Sequence, residues 1–175
     1  MKQGSVYQEM IKPLLVLVVI CLAVSALLGF TNSKTAPIIA ENKRIAAEET
    51  RRSVLDGAES FTELDCDTEA LGITGAYRED SGKGSVITAE RKGYGGMVTV
   101  TVGLNAEGEI VGLSADVGTE TTGVGSKAGT EDYIGRFLGL KGDSGSVDKI
   151  SGATYSSTAV KSGVDAALAA FAALR

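Results

Sequence analysis

The 175-residue chain predicts an α+β fold: a single N-terminal transmembrane helix, then an antiparallel-sheet domain with flanking helices. Three observations carry this prediction. Pro13 to Ser33 contains no charged residue and is mostly Leu, Val, Ile and Ala, bracketed by Lys12 and Lys34. Between Phe61 and Val117, β-branched runs alternate with glycine-rich turns. From Thr154 onward, apolar residues recur at three- and four-residue spacing in an alanine-rich background.

Residues 1-12 form an N-terminal segment and 13-33 the span, long enough at about 1.5 Å per residue to cross a bilayer core. The run outlasts a signal-peptide core and continues past Ala23-Val24-Ser25, where a cleavage site would fall, so a retained helix is expected. Bulky Val19 and Ile20 before Cys21 argue against a lipid anchor. Lys2 and Lys12 precede the span, whereas Lys34, Lys43, Arg44, Arg51 and Arg52 follow it, so charge alone leaves the orientation open. Thr35-Ala36-Pro37 has the form of a helix start, which predicts a separate juxtamembrane helix within 34-57, ended by Asp56-Gly57.

Residues 58-175 make the soluble domain. Strands are expected at Ile73 to Tyr77, Val86 to Arg91, Val98 to Leu104 and Ile110 to Val117. Val98, Val100, Val102 and Leu104 alternate with Thr99, Thr101 and Gly103, the period of a sheet with one buried face. Asn105 to Gly108 closes a hairpin. Gly93-Tyr94-Gly95-Gly96 is either a tight lead-in to the third strand or a ligand contact. Glu131 to Leu138 is expected as a short helix with Tyr133, Ile134, Phe137 and Leu138 on one face. The final helix carries a core stripe of Val160, Val164, Leu168, Phe171 and Leu174.

Composition removes several function classes. The net charge of -5 and the lack of a Lys/Arg cluster exclude nucleic-acid binding. Histidine is absent, which excludes Ser-His-Asp and Cys-His catalysis, histidine metal sites and histidine haem ligation within this chain. Cys21 lies in the apolar run and Cys66 in the domain, so both are expected as packed thiols, and no metal site is expected.

The most informative stretch is Asp148-Lys149-Ile150-Ser151-Gly152-Ala153-Thr154. Ser151, Gly152 and Ala153 form a turn with little bulk, which lets the Thr154 hydroxyl stand clear. Ser156, Ser157 and Thr158 are expected to cap the helix that follows, whose positive end would favour a phosphate at Thr154. The stretch resembles the Asp-x-x-Ser/Thr-Gly-Ala-Thr/Ser flavinylation motif of FMN-binding domains. That family includes the G subunit of the Rnf electron-transport complex and the C subunit of the sodium-pumping NADH:quinone reductase. A second resemblance lies in Val117-Gly118-Thr119-Glu120-Thr121-Thr122-Gly123-Val124-Gly125, similar to the family's His-x-Glu-Thr-Pro-Gly-Leu-Gly loop. Glu120, Thr121, Gly123 and Gly125 match, while Thr122 and Val124 replace Pro and Leu. The loop is expected to be more flexible than one with proline, and Val124 excludes a P-loop, which needs Lys there.

The resemblance implies FMN joined through its phosphate to Thr154 by a flavin transferase. Ser151, Gly152, Ala153 and Asp148 would complete the attachment motif, and Glu120, Thr121, Gly123, Val124 and Gly125 would lie near the ring. Asp148 would serve the transferase or hold a turn. The chain itself would have no catalytic residue. It would relay electrons beside other membrane and peripheral subunits of an Rnf-type complex, with the flavin domain on the extracytoplasmic side of a prokaryotic cell membrane. A stand-alone membrane-tethered reductase and a non-redox binding module are the alternatives; a yellow, covalently modified protein would eliminate the module, and co-purifying membrane partners would eliminate the stand-alone reductase.

Overall fold

A computed structural model describes residues 11–58 and 60–174. Lys2 and most of the N-terminal segment 1-12 lie outside the described residues. The chain divides into two compact units, 1–46 and 47–175.

Helix α1 runs from Lys12 through Val54. The expected break at Thr35-Ala36-Pro37 is not there: Pro37 sits inside the helix. Proline removes one backbone donor. Hydroxyls just upstream bond helix carbonyls, Thr31 Oγ1 donating to Leu27 O at 2.9 Å and Thr35 Oγ1 to Thr31 O at 3.0 Å. Such back-bonding occurs within continuous helices. Among the described residues, α1 is the one helix long and apolar enough to cross a membrane. Cys21 is exposed along it, whereas Cys66 packs against the domain core.

The domain's sheet is an antiparallel meander in the order β1-β2-β3-β4-β5. Its strands are β1 (Phe61–Glu63), β2 (Gly75–Glu79), β3 (Gly84–Lys92), β4 (Met97–Asn105) and β5 (Ile110–Asp116). β1 and the one-turn helix α2 (Thr68–Leu71) were not individually expected, since three or four residues carry too little periodicity. The Asn105 side chain shapes the β4–β5 hairpin by accepting the N–H groups of Glu107 and Glu109 at 3.1 and 2.9 Å. At the β2–β3 turn the buried Glu79 carboxylate accepts Ser81 N–H, Ser81 Oγ and Lys83 N–H.

Val98, Val100, Val102 and Leu104 are fully buried beneath the last helix, α4 (Thr154–Ala173). From α4, Val160, Val164 and Leu168 meet them, and Gly163 brings helix and strand together so closely that a Cβ would stand 2.7 Å from Val100.

The second face of the sheet is not simply solvated, which corrects the one-face expectation. Gly103 and Gly112 are cross-strand partners, and the Val54 carbonyl sits in the space both leave; a Cβ on either would lie 2.0 or 2.1 Å from that oxygen. Val54, Leu55, Ala58 and Val86 form a small core there, and the Arg51 guanidinium lies 4.2 Å from the Tyr77 ring centroid.

The expected helix from Glu131 to Leu138 is shorter and changes type. Helix α3 (Glu131–Ile134) passes at Gly135 into a 3-10 turn, Gly135–Phe137. Tyr133 and Phe137 stay buried, while the altered period leaves Leu138 exposed. The connector beyond is pinned to α4. Asp165 accepts Ser144 N–H at 2.8 Å, and Lys161 Nζ donates to Val147 O. The Asp148-to-Thr154 stretch therefore starts from a fixed point.

Candidate functional site

The Ser-Gly-Ala turn is built from backbone geometry. Ala153 N–H donates to Ile150 O at 3.0 Å, and Gly152 has φ of +81° with open space where a Cβ would stand, so backbone conformation alone demands glycine there. Helix α4 then begins at Thr154 itself, with Ala153 in the capping position.

The expected capping by Ser156, Ser157 and Thr158 is not what the structure has, because the helix starts earlier and the serines are already inside its first turn. Ser157 Oγ accepts Ile150 N–H at 3.1 Å and donates to Ala153 O at 2.9 Å, tying the turn to the helix. Ser156 Oγ donates to Glu120. No side chain caps the helix, whose first intrahelical bond is Ser157 N–H to Ala153 O at 2.9 Å, so the N–H groups of Thr154, Tyr155 and Ser156 have no intrahelical acceptor. They give the Thr154 end of α4 a partial positive charge.

Glu120 is the centre of the site. It is 6% exposed, and its carboxylate accepts Gly95 N–H at 2.9 Å, Tyr94 N–H at 3.3 Å, Gly96 N–H at 3.4 Å and the Ser156 hydroxyl. Burial opposes its ionisation, but the Ser156 hydroxyl and the three amides outweigh burial and hold the carboxyl below its usual range. Glycines at 93 and 125 leave room for the carboxylate; a Cβ on Gly125 would meet Ser156 Oγ at 2.6 Å and Glu120 at 2.8 Å. One buried anion thus joins three segments that are distant in sequence.

The glycine turn proves to be both a strand lead-in and a wall of the site. Gly93 N–H donates to Gly96 O at 2.8 Å, and Tyr94 lines the cavity. The Glu120 to Ser126 loop is held by its own bonds: Val124 N–H and Ser126 N–H both donate to Thr121 O, and Gly123 N–H to Ser126 Oγ at 2.9 Å. These take over part of the ordering that proline would supply.

A cavity of about 310 Å³ brings together Glu120, Thr121, Val124, Gly125, Gly152, Ala153 and Thr154 from the expected set. Tyr94, Tyr155 and Ser156 complete it. Three expected residues lie elsewhere. Gly123 shapes the loop without lining the cavity, Asp148 is exposed and lines neither this cavity nor its neighbour, and Ser151 faces that neighbour. The neighbouring cavity, about 430 Å³, is bordered by Lys127, Arg136, Lys149 and Ser151, with Tyr133 at its wall. Tyr155 and Ser156 were missed as site residues, although a large aromatic between hydroxyl residues at a helix start was a usable signal.

The first cavity suits a flavin mononucleotide. Its size is at the low end of ligand pockets, its walls offer two aromatic rings and the apolar Val124, and its helix start and Thr154 hydroxyl suit a phosphate. Among the described residues no group of acidic residues or cysteines could hold a metal ion.

Comparison with known proteins agrees. Residues 93–169 match the FMN-binding domain family. The chain is 30% identical over 171 residues to the G subunit of the ion-translocating oxidoreductase complex of Methanosarcina acetivorans, covering 87% of this chain and 89% of that protein. It is 28% identical over 147 residues to the G subunit of the proton-translocating ferredoxin:NAD(+) oxidoreductase complex of Clostridium ljungdahlii, covering 77% and 76%.

Proposed function

Because the chain belongs to the G-subunit family of ion-translocating oxidoreductase complexes, we propose that its FMN is joined through the phosphate to Thr154 Oγ. The chain is a flavoprotein subunit of such an electron-transport complex, held to the membrane by one apolar helix and working beside the other subunits. The single observation that carries the attachment is the exposed Thr154 hydroxyl at the uncapped start of α4, inside the aromatic cavity.

FMN supplies the redox chemistry, taking up and passing on one or two electrons. The chain's residues bind and orient. The α4 N-terminus offers positive potential to the phosphodiester, Gly152 presents the acceptor, and Glu120 locks the walls together. Ser156 and Ser157 are committed to Glu120 and to the turn, which leaves Thr154 as the available hydroxyl in the first turn of α4. A flavin transferase installs the cofactor, reading the Asp148-to-Thr154 stretch; the exposed Asp148 is accessible to it. Covalent attachment keeps the cofactor on a domain facing the extracytoplasmic side.

Peptide mass spectrometry of the chain co-expressed with a flavin transferase tests this directly. FMN on Thr154 is expected; FMN on Ser151, Ser156, Ser157 or Thr158, or on none, means the assignment is wrong. The chain also conducts no ion, since Pro13 to Ser33 contains no ionisable side chain except the Cys21 thiol. Ser25→Ala should leave ion transport by the assembled complex intact, and a selective loss of transport with electron transfer preserved would refute that.

A further inference from the structure

We propose that Tyr94 and Tyr155 form a two-sided aromatic seat for the flavin's isoalloxazine ring, so that the chain covers the ring as well as holding the phosphate. The proposal rests on attachment at Thr154.

Tyr94 and Tyr155 are 74% and 72% exposed. A tyrosine can bury about 150–250 Å², so leaving two of them in water forgoes substantial stabilisation. Single exposed aromatics need no explanation. These two meet: their ring centroids are 6.3 Å apart, tilted by 48°, across the cavity that contains the acceptor hydroxyl. Tyr155 directly follows Thr154, and Tyr94 belongs to the glycine turn that lines the same cavity.

Their backbones are fixed by one group. Glu120 accepts the Tyr94 N–H and the hydroxyl of Ser156, the residue after Tyr155. The rings themselves are mostly exposed. A flat ring stacked between two others at roughly 3.5 Å on each side needs roughly 7 Å between the outer rings. The observed pair stands slightly closer and tilted, so a small rotation of two exposed side chains opens a slot. Val124, 44% exposed on the same cavity, continues the apolar surface for the ring's dimethylbenzene edge, while the Thr121 hydroxyl can donate to its carbonyl edge.

Stacked phenols have a spectroscopic consequence. A photoexcited flavin takes one electron from an adjacent tyrosine and returns it, which extinguishes emission without net oxidation. The flavinylated wild-type chain should therefore emit several-fold less than the flavin-peptide released from it by proteolysis. Tyr94→Phe with Tyr155→Phe keeps the stacking area but removes the readily oxidised phenols, so emission should rise several-fold while iodide still reaches the ring poorly. Tyr94→Leu with Tyr155→Leu should raise emission and also admit iodide. Both double variants should keep the wild-type circular dichroism, since the side chains are exposed. FMN mapped to Thr154, with emission lifetime and iodide sensitivity unchanged by the Leu pair, overturns the seat alone. A wild-type chain carrying no FMN at Thr154 overturns the attachment and the seat together.

Discussion

Nearby residues of one turn face two different cavities, and the two sides use the same residue types in opposite ways. Ser151 borders the basic cavity, with Lys127, Arg136 and Lys149 around it. Thr154 borders the aromatic one, with Tyr94 and Tyr155. On the basic side Tyr133 is 1% exposed, its ring packed edge-on against Phe137 at 5.4 Å. Its hydroxyl finds no hydrogen bond of normal geometry, although Ser157 is near. That tyrosine is part of the core. The two on the other side are left in water, available to a ligand. A hydroxyl or an aromatic becomes a site residue here by what its neighbours leave unused, and only the Thr154 side leaves both unused.

The largest expected effect breaks the comparison at its two hydroxyls. Thr154→Val keeps the side-chain shape and removes the oxygen, so covalent flavin should disappear from a folded protein, while Thr154→Ser should retain some. Ser151→Ala should keep FMN on Thr154. Mass spectrometry of the peptide checks all three, and loss of flavin in Ser151→Ala with retention in Thr154→Val would reverse the assignment of the two sides.

Removing the brace should come next. Glu120→Gln weakens charge-assisted bonds on the aromatic side only, and should cost about 1.5–3 kcal/mol in denaturant unfolding. The wild-type contribution also carries a pH signature. The folded carboxyl titrates below the ordinary value of 4.5, so as pH falls the unfolded chain takes up its proton first. This stabilisation is fully present above about 4.5 and is lost as pH falls through the lower folded value. The difference in stability between wild type and Glu120→Gln should shrink over that acid range. If Glu120 instead acts on the ring's potential, Glu120→Gln shifts the midpoint upward with flavin still attached, as redox titration of the same variant would read.

Gly152→Ala tests the partition itself. A Cβ there meets nothing, so the cost is the left-handed backbone alone, about 1–2 kcal/mol. Attachment should slow, because relaxing the turn moves Thr154 relative to both cavities. Tyr133→Phe should be neutral or stabilising by up to about 1 kcal/mol, since it deletes a buried hydroxyl without a partner. Lys149→Gln should have the smallest effect, within about 0.5 kcal/mol in stability. It should also leave flavin emission unchanged. A large emission change in Lys149→Gln would show that the two sides communicate.

Much of this molecule is determined locally, and those parts were legible in the sequence. The uncharged run from Pro13 to Ser33 needs no partner to read as a span. The alternation through β4 places Val98, Val100, Val102 and Leu104 on one face whatever covers it, and Asn105 to Gly108 closes its hairpin through its own side chain. Gly152 must be glycine because of its own φ, so the turn before Thr154 could be expected from its residues. What tertiary structure decided is every role that depends on a distant atom. Ser156 and Ser157 have the chemistry of helix caps, yet one serves Glu120 and the other the turn, because the helix begins earlier than their pattern suggests. Gly103 and Gly112 look like weak points in strands until the Val54 carbonyl fills the space they leave. Tyr94 and Tyr155 carry no mutual signal along the chain. They meet where a buried carboxylate accepts hydrogen bonds from both segments, and periodicity cannot encode a contact between segments that do not share a repeat.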